Sequence, residues 1–88
     1  MKFSTIHLFF FGLLITNTIK IQVLDNDENP ISGANIEILN SDIGTSTDLD
    51  GFFFLQDINN SSKIRVSHIK YVDETFDLKS LKDWKIKL

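Results

Sequence analysis

The sequence predicts an all-β fold, a small antiparallel β-sandwich of about seven short strands behind an export signal. Three observations lead there. From Ile19 onward apolar residues recur with a period of two rather than 3.6, the pattern of half-buried strands. Two turn-and-strand signatures, Asn29-Pro30-Ile31-Ser32-Gly33-Ala34-Asn35-Ile36 and Gly44-Thr45-Ser46-Thr47-Asp48-Leu49-Asp50-Gly51-Phe52, place Pro30 with Gly33 and Asp50 with Gly51 where a sheet must reverse. The length of 88 residues supports one small domain and not two, because a shorter chain could not withdraw enough apolar surface from water.

In the first strand Ile19, Ile21 and Val23 alternate with Lys20 and Gln22, so one face is apolar and the other wet. Residues 25–33 form a polar connection closed by Pro30, whose ring cannot donate to a central ladder. Ala34, Ile36 and Ile38 then alternate with Asn35 and Glu37, and this second strand is expected to pair antiparallel with the first. Residues 44–47 make a short strand or extended edge. Residues 48–51 make a tight reversal with the Asp-Gly signal of a hairpin. Phe52-Phe53-Phe54-Leu55 is the next extended segment, followed by the loop Asn59-Asn60-Ser61-Ser62. Residues 63–69 alternate again with Ile64 and Val66 inside, and residues 75–78 form a short strand through Phe76 and Leu78. Residues 79–83 make a helical turn or a loop, and Trp84, Ile86 and Leu88 form one buried face of a last strand.

Lys2 is the only charged residue before Lys20, and residues 3–15 are apolar apart from Ser4, Thr5, His7 and Gly12. This reads as a secretory signal peptide over residues 1–18, with the domain proper at 19–88. The run is shorter than the ~20 residues that span a bilayer, so a permanent anchor is the weaker reading. Losing Lys2 from the nine basic residues leaves eight against twelve acidic ones, a net charge of −4. The basic residues are scattered, which argues against nucleic acid as a partner. No Cys is present, which excludes a disulfide framework, a thiolate metal site and lipid attachment at a mature N-terminal cysteine.

Five constellations invite chemistry and none completes it. Asp25-Asn26-Asp27-Glu28-Asn29 opens like a calcium loop, but Pro30 replaces the turn glycine and Ile36 the bidentate glutamate. Asp48 and Asp50 share a turn that leaves no pocket between two carboxylates, and their expected role is to accept backbone N–H groups. His68 has no second histidine in the mature chain to share a metal. Ser67 beside it is no dyad, since neighbouring strand residues face opposite sides. Asn59 and Asn60 each open an N-x-Ser sequon that loop composition explains. No cofactor is expected.

Asp25, Asn29-Pro30-Ile31, Gly33-Ala34-Asn35-Ile36, Gly44-Thr45, Thr47-Asp48, Asp50-Gly51, Phe53, Leu55 and Ile64-Arg65-Val66-Ser67 with Tyr71 together resemble the carboxypeptidase regulatory-like domain family. That family carries D-x-x-x-x-P-L-x-G-A-x-V, G-T-x-T-D-x-x-G-x-F-x-L and L-x-V-S-x-x-G-Y in this order. One departure is Lys70, where the family has glycine before the tyrosine. The resemblance implies a transthyretin-like, prealbumin-type sandwich. It is similar to N-terminal extensions of TonB-dependent outer-membrane receptors and to the accessory domain of some metallocarboxypeptidases. The expectation is a non-enzymatic exported module of the periplasm, outer membrane or cell surface, standing alone or as a fragment of a longer receptor, with a protein as its partner. A carbohydrate-binding module is the alternative.

Alternation adds one feature of its own. With Phe53 and Leu55 inward, Phe52 and Phe54 point to the outer face, where the family has polar residues. The pair is either covered by a loop or by the terminal strand carrying Trp84, or it is a partner surface. Trp84 and Tyr71 are expected to complete the core, with a sugar-stacking role as the alternative.

Overall fold

The computed structural model describes residues 18–56, 58 and 62–88. Residues 1–17 of the signal segment, and Asn59 and Asn60 of the sequons, lie outside the described residues, while Thr18 opens the first strand. The strands are β1 (Thr18–Leu24), β2 (Asn35–Ile38), β3 (Gly44–Ser46), β4 (Phe52–Gln56), β5 (Lys63–His68), β6 (Tyr71–Asp77) and β7 (Lys85–Lys87), with a 3-10 turn at Leu78–Ser80. They form two sheets, β4-β1-β7 and β3-β2-β5-β6, as a β-sandwich requires.

Period-two alternation fills the space between them. Ile21, Val23, Phe53, Leu55 and Ile86 from the first sheet and Ile36, Ile38, Ile64 and Val66 from the second are buried in one cluster with Ile31, Ala34 and Leu78. Their removal from water is the main stabilising term.

The topology corrects several expectations. β1 and β2 do not pair; they lie in opposite sheets, because β1 already has β4 on one side and β7 on the other. β2 pairs instead with β3 and β5. The Asp50-Gly51 reversal is likewise not a hairpin within one sheet, since β3 and β4 belong to different sheets and the turn carries the chain between them. The sandwich is not wholly antiparallel, because β1 and β7 run parallel. β6 starts at Tyr71, earlier than its alternation indicates, since it is an exposed edge strand with little apolar face. Leu78 leaves the strand for the 3-10 turn and is fully buried there.

One residue that the sequence reading names only as part of a signature holds the sheets' connections together. Thr47 is buried; its hydroxyl donates to the Ile31 carbonyl (2.7 Å) and accepts from the Ala34 N–H (2.9 Å). Its backbone N–H donates to the Ala34 carbonyl (2.9 Å), and its carbonyl accepts from the Gly33 N–H (3.2 Å). The segment between β1 and β2 is thereby pinned to the end of β3. Thr47→Val keeps the shape and strands a buried donor and acceptor, so a loss of about 2–3 kcal/mol is expected in urea unfolding; a loss below about 0.5 kcal/mol would refute the pin.

Candidate interaction surface

The β1–β2 connection begins with an Asx turn. Asp25 Oδ1 accepts the N–H groups of Asp27 (2.9 Å) and Asn29 (2.8 Å), and Oδ2 accepts from the Asn29 side chain (3.3 Å). The residues that start like a calcium loop thus use their first carboxylate to hold their own backbone. Those hydrogen bonds, the Asn29 N–H first, hold the Asp25 carboxyl below the usual carboxylate range. A depressed folded value means that Asp25 favours the folded state above the ordinary carboxylate range and loses that contribution as pH falls through its folded value. A carboxyl-carbon NMR titration should place Asp25 below the ordinary carboxylate range; an ordinary midpoint would contradict the turn.

Asp25 also lines a shallow cleft of about 230 Å³ with Pro30, Ile31, Ser32, His68, Lys70 and Tyr71. Its candidate bases are already engaged. His68 Nδ1 accepts the Lys70 N–H (3.1 Å), so Nε2 carries the proton and donates to the Ser32 carbonyl (3.2 Å). The imidazole meets the Tyr71 ring edge-on at 5.5 Å. Lys70 is not among the residues with positive φ; the two-residue connection from His68 to Tyr71 turns without a glycine, and an irregular register between Val66 and His68 adjusts the ladder. Among the described residues no three His, Asp or Glu side chains gather as a metal site. The cleft offers a folded turn rather than a nucleophile, base and orienting partner.

Asp48 takes the structural role expected of the pair, whereas Asp50 contributes only backbone groups among the described residues, its carbonyl accepting from the Gln22 side chain (2.9 Å). Asp48 Oδ1 accepts the Asp50 and Phe52 N–H groups, both at 2.9 Å, and the Gly51 N–H donates to the Asp48 carbonyl (3.0 Å). Gly51 is buried with φ +80°, and Gly33 turns the first connection at φ +74°. Pro30 bridges to Leu24 at the mouth of that connection.

The turn sets the register of β4 on β1, with Phe53 opposite Ile21 and Phe54 opposite Lys20. Phe53 and Leu55 are buried, while Phe54 keeps 51% of its surface exposed and Phe52 is half-buried. Phe52 and Phe54 therefore share the outer face with Lys20 and Gln22. Among the described residues Lys20 lies over them, its Nζ 4.2 Å from the Phe52 ring centroid and 5.9 Å from that of Phe54. Its alkyl stem and cation–π contact shade the aromatic pair without sealing it.

Trp84 is not part of the core. It precedes β7 and is 42% exposed. It follows Asp83, and both have left-handed φ values, 53° and 55°. The backbone turns there because the Trp84 carbonyl accepts the Gln22 N–H (3.1 Å), which starts the parallel β1–β7 ladder. Tyr71 is partly buried against the core, in line with its expected place.

Two sheets with apolar residues between them, turns held by the Asp25 and Asp48 carboxylates and an aromatic outer patch define a β-sandwich module. A family model described as CarboxypepD_reg-like domain matches residues 19–88. The chain belongs to that family, the carboxypeptidase regulatory-like domains, as its ordered signatures indicate. No curated protein and no solved structure gave a significant match to the chain.

Proposed function

We propose that this chain is a non-enzymatic docking module, exported to the periplasm or cell surface, that engages a protein of an outer-membrane transport system of the TonB-dependent type. The carrying observation is the Phe52–Phe54 pair on the outer face of the three-stranded sheet, which Lys20 shades without sealing among the described residues. An exposed aromatic pair costs hydration and is retained most economically as a contact surface. Family membership supports a non-catalytic role. The charged start and apolar run of residues 1–18 support export, and the likeness of the domain to receptor N-terminal extensions supports the transport setting.

The test is Phe52→Ser with Phe54→Thr. The double variant should keep its unfolding midpoint within a few degrees and lose co-purification with the receptor. Retained co-purification would end the reading, and a fall of more than about 2 kcal/mol in stability would make the pair part of the core.

Trp84 favours a second reading. An exposed indole on a constrained left-handed backbone is a platform on which a sugar ring can stack. Saturable oligosaccharide binding that disappears in folded Trp84→Ala would establish it; no binding across a glycan panel would remove it.

A further inference from the structure

The two flanks of the sandwich differ in a way that bears on strand addition. The edge strands are β4 and β7 in one sheet and β3 and β6 in the other. On one flank β6 carries Asp73, Glu74 and Asp77, and β7 carries Lys85 and Lys87. Either strand paired antiparallel with its own copy would set like charges across the ladder, the usual guard on an open edge. On the other flank neither β3 (Gly44-Thr45-Ser46) nor β4 (Phe52-Phe53-Phe54-Leu55-Gln56) holds a charge or a proline.

The hydrogen-bond phase of β4 makes its outer edge available. Val23 donates to the Gly51 carbonyl (2.7 Å), and antiparallel bonding repeats every second residue. Phe53 therefore bonds Ile21, and Leu55 bonds Ile19, in the observed register. The N–H and C=O of Phe52, Phe54 and Gln56 point the other way. Those of Phe52 are occupied by Asp48, whose N–H meets the Phe52 carbonyl (2.9 Å) and whose carboxylate takes the Phe52 N–H (2.9 Å). Those of Phe54 and Gln56 have no backbone partner among the described residues.

We propose that β4 is a self-pairing edge, joining a second copy of this chain antiparallel across a two-fold axis at Leu55. Phe54 then exchanges N–H···O bonds with Gln56 of the second copy and Gln56 with its Phe54, making one continuous six-stranded sheet. The two Phe54 rings become diagonal cross-strand neighbours on the outer face, within reach of each other. The occupant is a second copy because the groups without a partner among the described residues repeat at Phe54 and Gln56 symmetrically about Leu55, which suits an isologous contact, and because β4, unlike β6 and β7, sets no like charges against its own copy. The inference rests on the aromatic face already proposed for docking, which the pairing would double in extent.

The experiment is sedimentation equilibrium of the full chain over a wide concentration range, combined with residue-resolved amide exchange. The expected result is a mass rising to twice the monomer, with Phe54 and Gln56 amides protected only in the dimer. Phe54→Lys, which sets like charges near the axis, should shift the chain to monomer. Phe52→Ser, whose backbone groups are already taken, should leave the dimer intact. A chain that stays monomeric overturns the inference, as does a dimer in which the Phe54 and Gln56 amides exchange freely. A monomer that still loses receptor co-purification in the Phe52→Ser, Phe54→Thr variant overturns self-pairing alone and leaves the docking role standing. Protection of those amides by an uncharged alternating peptide, with no dimer at any concentration, also overturns it in favour of a foreign strand.

Discussion

Gly51→Ala is expected to remove a large share of the domain's stability. The residue has φ +80°, a conformation that costs an L side chain roughly 1–2 kcal/mol. A methyl group there would also stand 2.6 Å from the Val23 carbonyl oxygen and 3.2 Å from both the Ile31 nitrogen and Pro30 Cβ. That oxygen cannot retreat cheaply, because it accepts the Ile31 N–H at 2.9 Å while the Val23 N–H holds the Gly51 carbonyl at 2.7 Å. Relief of the clash breaks the junction of β1, the first connection and the β3–β4 turn together. The expected loss is about 4 kcal/mol or more, a fall in midpoint of about 16 °C or more for a domain of this size. Gly33→Ala is the control, since φ is +74° but nothing lies within 4 Å of the added carbon, and it should cost only about 1 kcal/mol. Equal effects in thermal unfolding by circular dichroism would show that conformation alone, without contact, fixes both sites.

Phe53→Ala and Phe54→Ala should differ sharply although the two residues are neighbours. Phe53 is 1% exposed at the centre of the core, so its truncation leaves a large cavity and costs about 3–5 kcal/mol. That is a large share of the about 5–15 kcal/mol that holds a natural domain together. Phe54 loses mainly its distant contact with Lys20, and its truncation should cost under about 1 kcal/mol. A strand shifted by one residue would reverse the two results.

The sequence discloses the strands because alternation and burial are the same fact read two ways. Ile21 with Val23, Ile36 with Ile38, and Ile64 with Val66 are inward by period and buried in the structure. Pairing partners are less legible. A connection with Pro30 and Gly33 is compatible either with returning along the same sheet or with crossing to the other. The choice depends on β4 and β7 claiming both sides of β1, a long-range event with no local mark. The Asp-Gly pair of the second turn has the same ambiguity, and the Asp48 hydrogen bonds fit a crossing as well as a hairpin.

At the surface, the outward direction of Phe54 follows from the alternation of Phe53 and Leu55. The shading of Phe52 by Lys20 does not, because it depends on the cross-strand register. Trp84 looks inward by alternation with Ile86 and Leu88, yet the left-handed turn at Asp83 and Trp84 takes it out of the strand. Thr47 stands in the ordered signature, but its polar surroundings give no sign of burial, and only the approach of Ile31 and Ala34 makes its hydroxyl indispensable.

The docking role is tested most directly by photocrosslinking in cells that make the protein, with a photoreactive phenylalanine analogue at position 54 and, for comparison, at position 65. Arg65 pairs with Glu37 on the exposed side of the other sheet. The expected result is an adduct between position 54 and an outer-membrane receptor, beside any adduct to a second copy, with none from position 65. Receptor adducts of equal yield from both positions, or none from position 54, would contradict the assignment of this face.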